Sequence, residues 1–223
     1  MSCFITFEGP DGSGKTTQIE ALYDYLSRQG YPVLLVREPG STDIGDQIRL
    51  VLHDTKNVHM LPNAEALLYS ASRAQLVGQV IRPALEAGKI VLCDRYADST
   101  LAYQGYGHGL DLELLKVITA FSTGGLRPDL IIYLDVDVEE GLRRRRSGYR
   151  AGEGEWNRMD QQELDFHRRV RAGYLQMATV ERGRWFVLDA AGSIASIQDL
   201  IQGRVKRLLV ERRIPDPKGW GNP

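Results

Sequence analysis

Five runs along the chain are continuously apolar and rich in β-branched residues: "CFITFEG" (3–9), "PVLLVRE" (32–38), "KIVLCDR" (89–95), "DLIIYLDV" (129–136) and "RWFVLDA" (184–190). A strand wetted on one face alternates apolar and polar residues. Unbroken apolar runs of this length suit strands covered on both faces. Between the runs, apolar residues recur at helical spacing. Residues 15–29 carry Ile19, Leu22, Tyr23 and Leu26 and stop at Gly30; residues 43–53 carry Ile44, Ile48 and Leu52. A longer segment, 63–87, opens after Pro62, closes at Gly88 and contains Pro83, where a kink is expected because proline lacks a backbone donor and crowds the preceding turn. Residues 111–122, 137–147, 160–181 and 193–211 complete the helical set. Strands alternating with helices predict an α/β fold, a mainly parallel five-stranded sheet flanked by helices. Ligands in such sheets bind beyond the carboxyl ends of the strands. The first three runs end there in Glu8, Arg37-Glu38 and Asp94-Arg95, so three strands aim charge at one edge. Two stretches read as irregular: the glycine-rich "SGYRAGEGEW" (147–156) as a mobile loop, and residues 212–223 as a loose tail.

Composition narrows the class. A chain of 223 residues with 43% hydrophobic content supports one core, hence a single domain over 1–211. A formal net charge of −1 argues for neither nucleic acid nor an acidic membrane as partner. Cys3 and Cys93 fall in strand runs and read as buried thiols of a reducing compartment. The four histidines show no metal-ligand spacing. Met1 leads almost directly into the first strand and no apolar run reaches membrane-spanning length, so a cytoplasmic protein without a leader is expected.

Candidate chemistry begins at "GPDGSGKT", which matches G-x-x-x-x-G-K-[ST] between a predicted strand and a predicted helix. Gly9, Pro10, Asp11, Gly12, Ser13 and Gly14 form a loop whose backbone N–H groups converge on phosphate oxygens, helped by the positive end of the helix. Lys15 neutralises β- and γ-phosphates, Thr16 offers a hydroxyl to Mg²⁺, and Thr17 follows in the first turn. The loop implies ATP or GTP but not its use. An N-K-x-D base-reading motif is absent from the sequence, as is an Asp-Glu strand end of the kind motor ATPases use. Asp94 and Asp135 both suit the strand-end aspartate that supports Mg²⁺. Asp94 is favoured because Arg95 adjoins it and a binding loop is expected after it, whereas Asp135 suits a helix cap. "GLRRRRSGYR" brings Arg143, Arg144, Arg145, Arg146 and Arg150 together, with Arg158 beyond. Such a run is either a solvated basic face or a lid that closes over phosphates, and the phosphate loop favours the lid, placed at about 142–160.

Taken together, "FEGPDGSGKTTQ", "REPGSTDIGDQIR", "LYSASRAQ", "DRYADSTLAYQG" and "NRMDQQELDFHRRVRAGY" resemble the thymidylate kinase family, in family order from residue 4 to about 190. The resemblance implies the nucleoside monophosphate kinase fold with a small mobile lid, transfer of phosphate from ATP to dTMP with Mg²⁺ to give dTDP, and a homodimer. It casts Asp11 near the acceptor's 3′-hydroxyl and Glu38, Pro39 and Arg49 around the acceptor. Tyr69, where the family commonly has Phe, stacks on thymine, and Arg73, one helical turn on, reaches the base O4. Arg95 clamps the dTMP phosphate; its structural alternative is an ion pair with Asp94. Ser99 and Thr100 add hydroxyls, Tyr103 covers the deoxyribose, and Gln104 reads the base edge. On the donor side the resemblance casts Arg144, and "LDAAGS" (188–193) beside adenine. With no basic residue inside the phosphate loop, Arg150 or Arg146 is the lid arginine expected at the γ-phosphate, as in the bacterial-type arrangement. Arg158 and Asp160 match a lid-closing segment. Ser41 replaces a family glycine, which is strained if its φ is positive. Two rivals stay open: a kinase for another nucleotide or a deoxynucleoside, with Glu38 as base, and a non-enzymatic nucleotide-switched module using Arg143–Arg146.

Overall fold

The computed structural model describes residues 1–152 and 156–218. The five apolar runs are β1 (Cys3–Glu8), β2 (Val33–Arg37), β3 (Ile90–Asp94), β4 (Leu130–Asp135) and β5 (Trp185–Asp189). They form one sheet in the order β2-β3-β1-β4-β5, parallel throughout. Their lack of alternation has a direct cause. On one face Ile5, Phe7, Leu92 and Ile132 meet Ile19 and Leu22 of α1 (Lys15–Arg28) and Ile201 and Val205 of α9 (Ile194–Glu211). On the other, Phe4, Val91 and Cys93 pack on Leu76, Val77 and Ile81. Ile131 and Tyr133 pack on Val170 and Tyr174 of α8 (Leu164–Val180). Neighbouring residues of a strand face opposite cores, so both must be apolar.

The expected helices form, with informative differences. α2 (Asp43–His53) starts at Thr42, whose hydroxyl accepts from Gly45 N at 2.9 Å. The segment 63–87 is α3 (Pro62–Leu76), a π-helical turn (Val77–Ile81) and α4 (Arg82–Glu86). The wider turn absorbs the crowding that Pro83 imposes on the carbonyl four residues back. Residues after β3, expected as a loop, are instead α5 (Ala97–Thr100) running into a π-helical segment (Leu101–Gly107). Polar side chains of this helix face the site, so apolar periodicity never announced it. After α6 (Leu112–Thr123), α7 (Val138–Arg150) continues through "SGYR", the first four residues of the expected 147–156 loop; residues 153–155 lie outside the described residues. Its cap is Asp137, which accepts from Glu139 N and Glu140 N at 3.1 and 3.3 Å. Asp135, the expected cap, is still in β4 and receives Arg171 through both oxygens at 2.8 Å. A 3₁₀ turn (Arg158–Gln161) precedes α8.

The tail expected to be loose from 212 is anchored at three points among its described residues, 212–218, although most of them are exposed. Ile214 sits in the core, Arg212 pairs with Asp129, and Lys218 Nζ donates to Arg28 O at 2.6 Å. The apolar Ile214 anchors a segment whose prolines and charges alone suggested freedom. Residues 219–223 lie outside the described residues. Ser41 does have a positive φ, +64°. Its hydroxyl offsets the strain by accepting from Arg37 N at 2.9 Å and facing Arg37 O at 3.2 Å.

One close approach ties α7 to the phosphate loop. A Cβ on Gly12 would meet Gly141 O at 1.9 Å, and a Cβ on Gly141 would meet Asp11 O at 2.7 Å. Both obstacles are backbone, so neither can swing away. A helical Gly→Ala exchange ordinarily stabilises by about 0.5–1 kcal/mol, and Gly203 in α9, open within 4 Å, follows that rule. Gly141→Ala is expected to do the reverse, costing about 1–3 kcal/mol through overpacking. Urea denaturation of the two variants checks the opposite signs.

Candidate active site

Beyond the carboxyl edge of β1, β2 and β3 lies a cavity of about 540 Å³. Its floor is the phosphate loop: Asp11, Gly12, Gly14, Lys15, Thr16 and Thr17 line it. Gly9, Pro10 and Ser13 sit behind and hold the lysine. Lys15 Nζ donates to Gly9 O at 3.0 Å and Pro10 O at 2.9 Å, and faces Ser13 Oγ at 3.4 Å. Burial and the nearby Arg95 push the ammonium down to about 8, against the pull of Asp11 and Asp94. Thr16 Oγ1 donates to Asp94 Oδ2 at 3.0 Å, and both line the cavity. Two hard oxygens at the mouth of a phosphate loop suit Mg²⁺, which keeps most of its coordination for water and phosphate. Among the described residues no group of three or more His, Cys, Asp or Glu is placed to hold a metal. Thr16 and Asp94 offer two oxygens, which fits an ion that takes the rest of its coordination from water and phosphate. Asp135, spent on Arg171, does not line the cavity.

Arg95 does not pair with Asp94. A left-handed backbone, φ +70°, turns the guanidinium back over β1. There Nη2 donates to Asp11 Oδ1 at 2.7 Å and Tyr103 OH at 3.0 Å, and Nη1 to Gly9 O at 3.2 Å and Ser99 Oγ at 3.3 Å. Tyr103 OH donates in turn to Asp11 Oδ2 at 3.0 Å. Burial alone would raise Asp11, but Arg95, Lys15 and Arg145 outweigh it and hold the carboxyl well below the usual range. The cluster is an anionic loop residue, a fixed guanidinium and a phenol, all on the cavity wall.

The remaining wall carries the other expected residues. Glu38, Pro39, Arg49, Tyr69, Arg73, Ser99, Thr100 and Gln104 all line it. Tyr69 is thus a wall residue and not core. Arg49 Nη1 donates to Pro39 O at 3.1 Å. Arg73 is 1% exposed and donates to Glu38 Oε2 at 2.8 Å and Tyr96 O at 3.2 Å. Arg73 Nη1 and Glu38 Oε1 are buried with no partner among the described residues. Two unsatisfied polar atoms on one cavity wall favour a polar ligand there, because leaving them bare costs about 1–3 kcal/mol each. Burial, which Arg73 only partly counters, raises Glu38 to about 7.

Arg146 and Arg150, the expected lid arginines, do not line the cavity. The Arg146 guanidinium lies 5.8 Å from the Trp156 ring centroid, and Arg150 is exposed. Arg144 and Arg145 line it instead. Arg145 is held to Asp160 at 3.0 and 3.2 Å. Arg144 donates to Glu140 at 2.6 Å and to Ala190 O, within the 188–193 segment, at 3.0 Å. Helical register explains the difference: Gly141, Arg145 and Gly148 form one stripe facing the loop, and Arg146 and Arg150 point elsewhere. Taking 147–156 as loop hid that stripe. Arg158 and Asp160 are buried; Arg158 pairs with Glu65 and Asp160 Oδ2 accepts from Asn157 N at 2.8 Å. Arg37, His53, Gly148, Asn157 and Met159 also line the cavity. No spacing signal singled them out.

Glu8 lies beneath this layer, fully buried. It accepts from Tyr96 N at 2.8 Å, Ser99 Oγ at 2.6 Å and Tyr174 OH at 2.8 Å. Burial and Asp98 raise it to about 7 despite those donors and Arg95. A carboxyl raised from its unfolded range favours the fold most when protonated. That contribution is complete below about pH 4.5 and is lost as pH climbs through 7. In the unliganded protein, stability from Glu8 and Glu38 therefore falls between pH 5 and 7.5. Glu8→Gln, which keeps the protonated shape, is expected to flatten that fall by at most about 1.4 kcal/mol per pH unit. Urea midpoints across the range check it, and an unchanged slope refutes it.

Comparison with known proteins bears on what fills this cavity. A family model described as thymidylate kinase matches residues 7–201. The thymidylate kinase of Roseiflexus sp. (strain RS-1) is 55% identical over 216 residues, covering 94% of this chain and 96% of that protein. That of Deinococcus radiodurans is 54% identical over 187 residues, covering 84% and 88%. The crystal structure of thymidylate kinase from Ehrlichia chaffeensis superimposes with a TM-score of 0.72 at 33% identity, covering 92% of this chain and 98% of that one.

Proposed function

The chain belongs to the thymidylate kinase family, and from that premise we propose that its cavity transfers the γ-phosphoryl group of ATP to dTMP, yielding ADP and dTDP on the route to dTTP. The observation that carries the reading is Arg95: a half-buried guanidinium fixed on Asp11 and Tyr103, one residue past the strand, at the loop that would hold ATP. A neutral hydroxyl acceptor has no use for such a charge, but an acceptor phosphate does, and bidentate geometry suits it. The deoxynucleoside-kinase alternative is disfavoured for the same reason, and Glu38, its candidate base, is held by Arg73.

The residues divide by chemistry. Lys15, the loop N–H groups and Arg144 take the donor, with Ala190's neighbourhood against its base. Thr16 and Asp94 would hold Mg²⁺, which would supply charge neutralisation on the donor phosphates. Arg145 stands in the lid position assigned from sequence to Arg146 or Arg150, and its reach to the γ-phosphate is part of the proposal. On the acceptor side Arg95 takes the phosphate, Asp11 and Tyr103 the sugar, Tyr69 the face of thymine, and Arg73 and Gln104 its edge, within a wall formed by Pro39, Arg49, Ser99 and Thr100. The acceptor phosphate is largely ionised at neutral pH, so no general base is needed. Rate comes from alignment and from cations already in place around the shifting charge.

A homodimer and a cytoplasmic setting belong to the same reading. Among the described residues no helix is long and apolar enough to cross a membrane. The two free cysteines are buried. On α6 Leu114, Val117 and Phe121 are 59%, 66% and 87% exposed, and Leu67 on neighbouring α3 is 56% exposed. A single stripe of large apolar residues favours a self-complementary contact.

In an ADP-release assay over dTMP, dUMP, UMP, CMP, AMP and thymidine, dTMP is the expected best acceptor. Preference for another acceptor sinks the substrate assignment, and acceptor-independent release sinks the kinase. Arg95→Ala should lower kcat/KM for dTMP by about 10²–10³-fold while leaving the KM for ATP within about threefold; equal losses would make Arg95 structural. Sedimentation should show dimers converted to monomers by Phe121→Glu.

A further inference from the structure

Glu65, in the first turn of α3, is fully buried beneath the cavity wall. Its Oε1 accepts from Gln104 Nε2 at 2.6 Å. Its Oε2 takes the guanidinium of Arg158, which is 5% exposed and also donates to Leu52 O at 3.3 Å. His108 Nε2 stands 3.3 Å from Oε1. Burial alone would raise Glu65, but His108 and Arg158 outweigh it and its carboxyl is held below the ordinary value. An ionised carboxylate only accepts hydrogen bonds. Gln104 must therefore turn its NH₂ toward Glu65, because the flipped amide would press a carbonyl oxygen against a carboxylate. The carbonyl is left to face away from Glu65, on a residue that lines the cavity.

We propose that Glu65 is a positioning residue for base selection: its charge fixes the Gln104 amide so that a carbonyl oxygen meets the acceptor base, selecting pyrimidines that carry N3–H. The inference rests on the proposed acceptor chemistry. Thymine presents N3–H, a donor that fits this oxygen. Cytosine presents a bare N3 lone pair, which faces it acceptor to acceptor. Arg158 holds the second carboxylate oxygen, so the segment after α7 and the base reader are tied to one group. A residue that merely filled space would set no amide orientation.

The test is the ratio of kcat/KM for dTMP to that for 5-methyl-dCMP. Glu65→Gln offers either a donor or an acceptor to Gln104, freeing the amide to flip, and the ratio is expected to fall at least about tenfold. In a Gln104→Ala background the same change should move the ratio less than about twofold, because the effect passes through Gln104. An unchanged ratio in Glu65→Gln, or an equal fall in both backgrounds, overturns the proposal. Should Glu65→Gln fail to fold with Arg158 unpaired, Glu65→Gln with Arg158→Met removes both charges and should lower the ratio equally, whereas Arg158→Met alone should keep it. Independently of any loss of stability, ¹⁵N-glutamine labelling of the intact protein should show slowly exchanging Gln104 amide protons, assigned by their loss in Gln104→Ala. Rapid exchange overturns the proposal. Absence of dTMP turnover by the unaltered protein defeats the acceptor assignment, an outcome distinct from turnover with an unchanged ratio.

Discussion

The Arg95 guanidinium is the contact on which the carboxyl edge of the sheet depends. It touches the end of β1 through Gly9 O, the phosphate loop through Asp11, the π-helical segment through Tyr103, and α8 through Tyr174 at 3.4 Å. Burying a charge costs several kcal/mol unless partners surround it. Here Asp11 balances its charge, and phenols, a serine hydroxyl and a carbonyl meet its two Nη groups. Removing Asp11 would strand the guanidinium and removing Arg95 would strand the carboxylate. The left-handed backbone at Arg95 is the local cost of turning the side chain inward, and it persists because so many partners specify it.

Below that contact the protein sorts its acids by surroundings. Asp11 and Glu65 each meet guanidinium groups and are held down. Glu8 and Glu38 are buried with too little positive charge to compensate and rise to about 7. The first pair supplies fixed negative charge at the phosphate loop and behind Gln104. The second pair accepts hydrogen bonds at that wall, Glu8 beneath it from Ser99 and Tyr174, Glu38 on it from Arg73. Like residues thus do unlike work within one site, and depth together with the nearest cation decides which.

The segment around α7 joins the same frame. Gly12 and Gly141 allow backbone to approach backbone, which brings Arg144 and Arg145 over the phosphate loop. Asp160 then holds Arg145, and Arg158 reaches through to Glu65. The basic stretch is therefore neither a plain solvated face nor a set of equivalent phosphate ligands. Arg143 is spent on Glu140 at 2.7 Å and Arg146 lies against Trp156, while their neighbours face the cavity.

Sequence alone determined the sheet, because strands covered on both faces must be apolar without alternation, and it determined the phosphate loop, because glycine spacing and Lys15 are local requirements. The family resemblance, carried by short ordered motifs, also pointed to Arg95, Tyr69, Arg73 and Tyr103, and these four line the cavity. Tertiary structure decided what depends on long-range approach. That Arg95 meets Asp11 and not Asp94 follows from a backbone turn no neighbour predicts. That Arg145 and not Arg146 faces the cavity follows from the register of a helix whose last turn reads as loop. That residues 97–107 are helical was hidden because their inner face divides between the cavity and the core, which breaks up the apolar periodicity. That Glu65 sits behind Gln104 joins residues far apart in the chain, and only packing of α3 against the segment after β3 brings that charge to that amide.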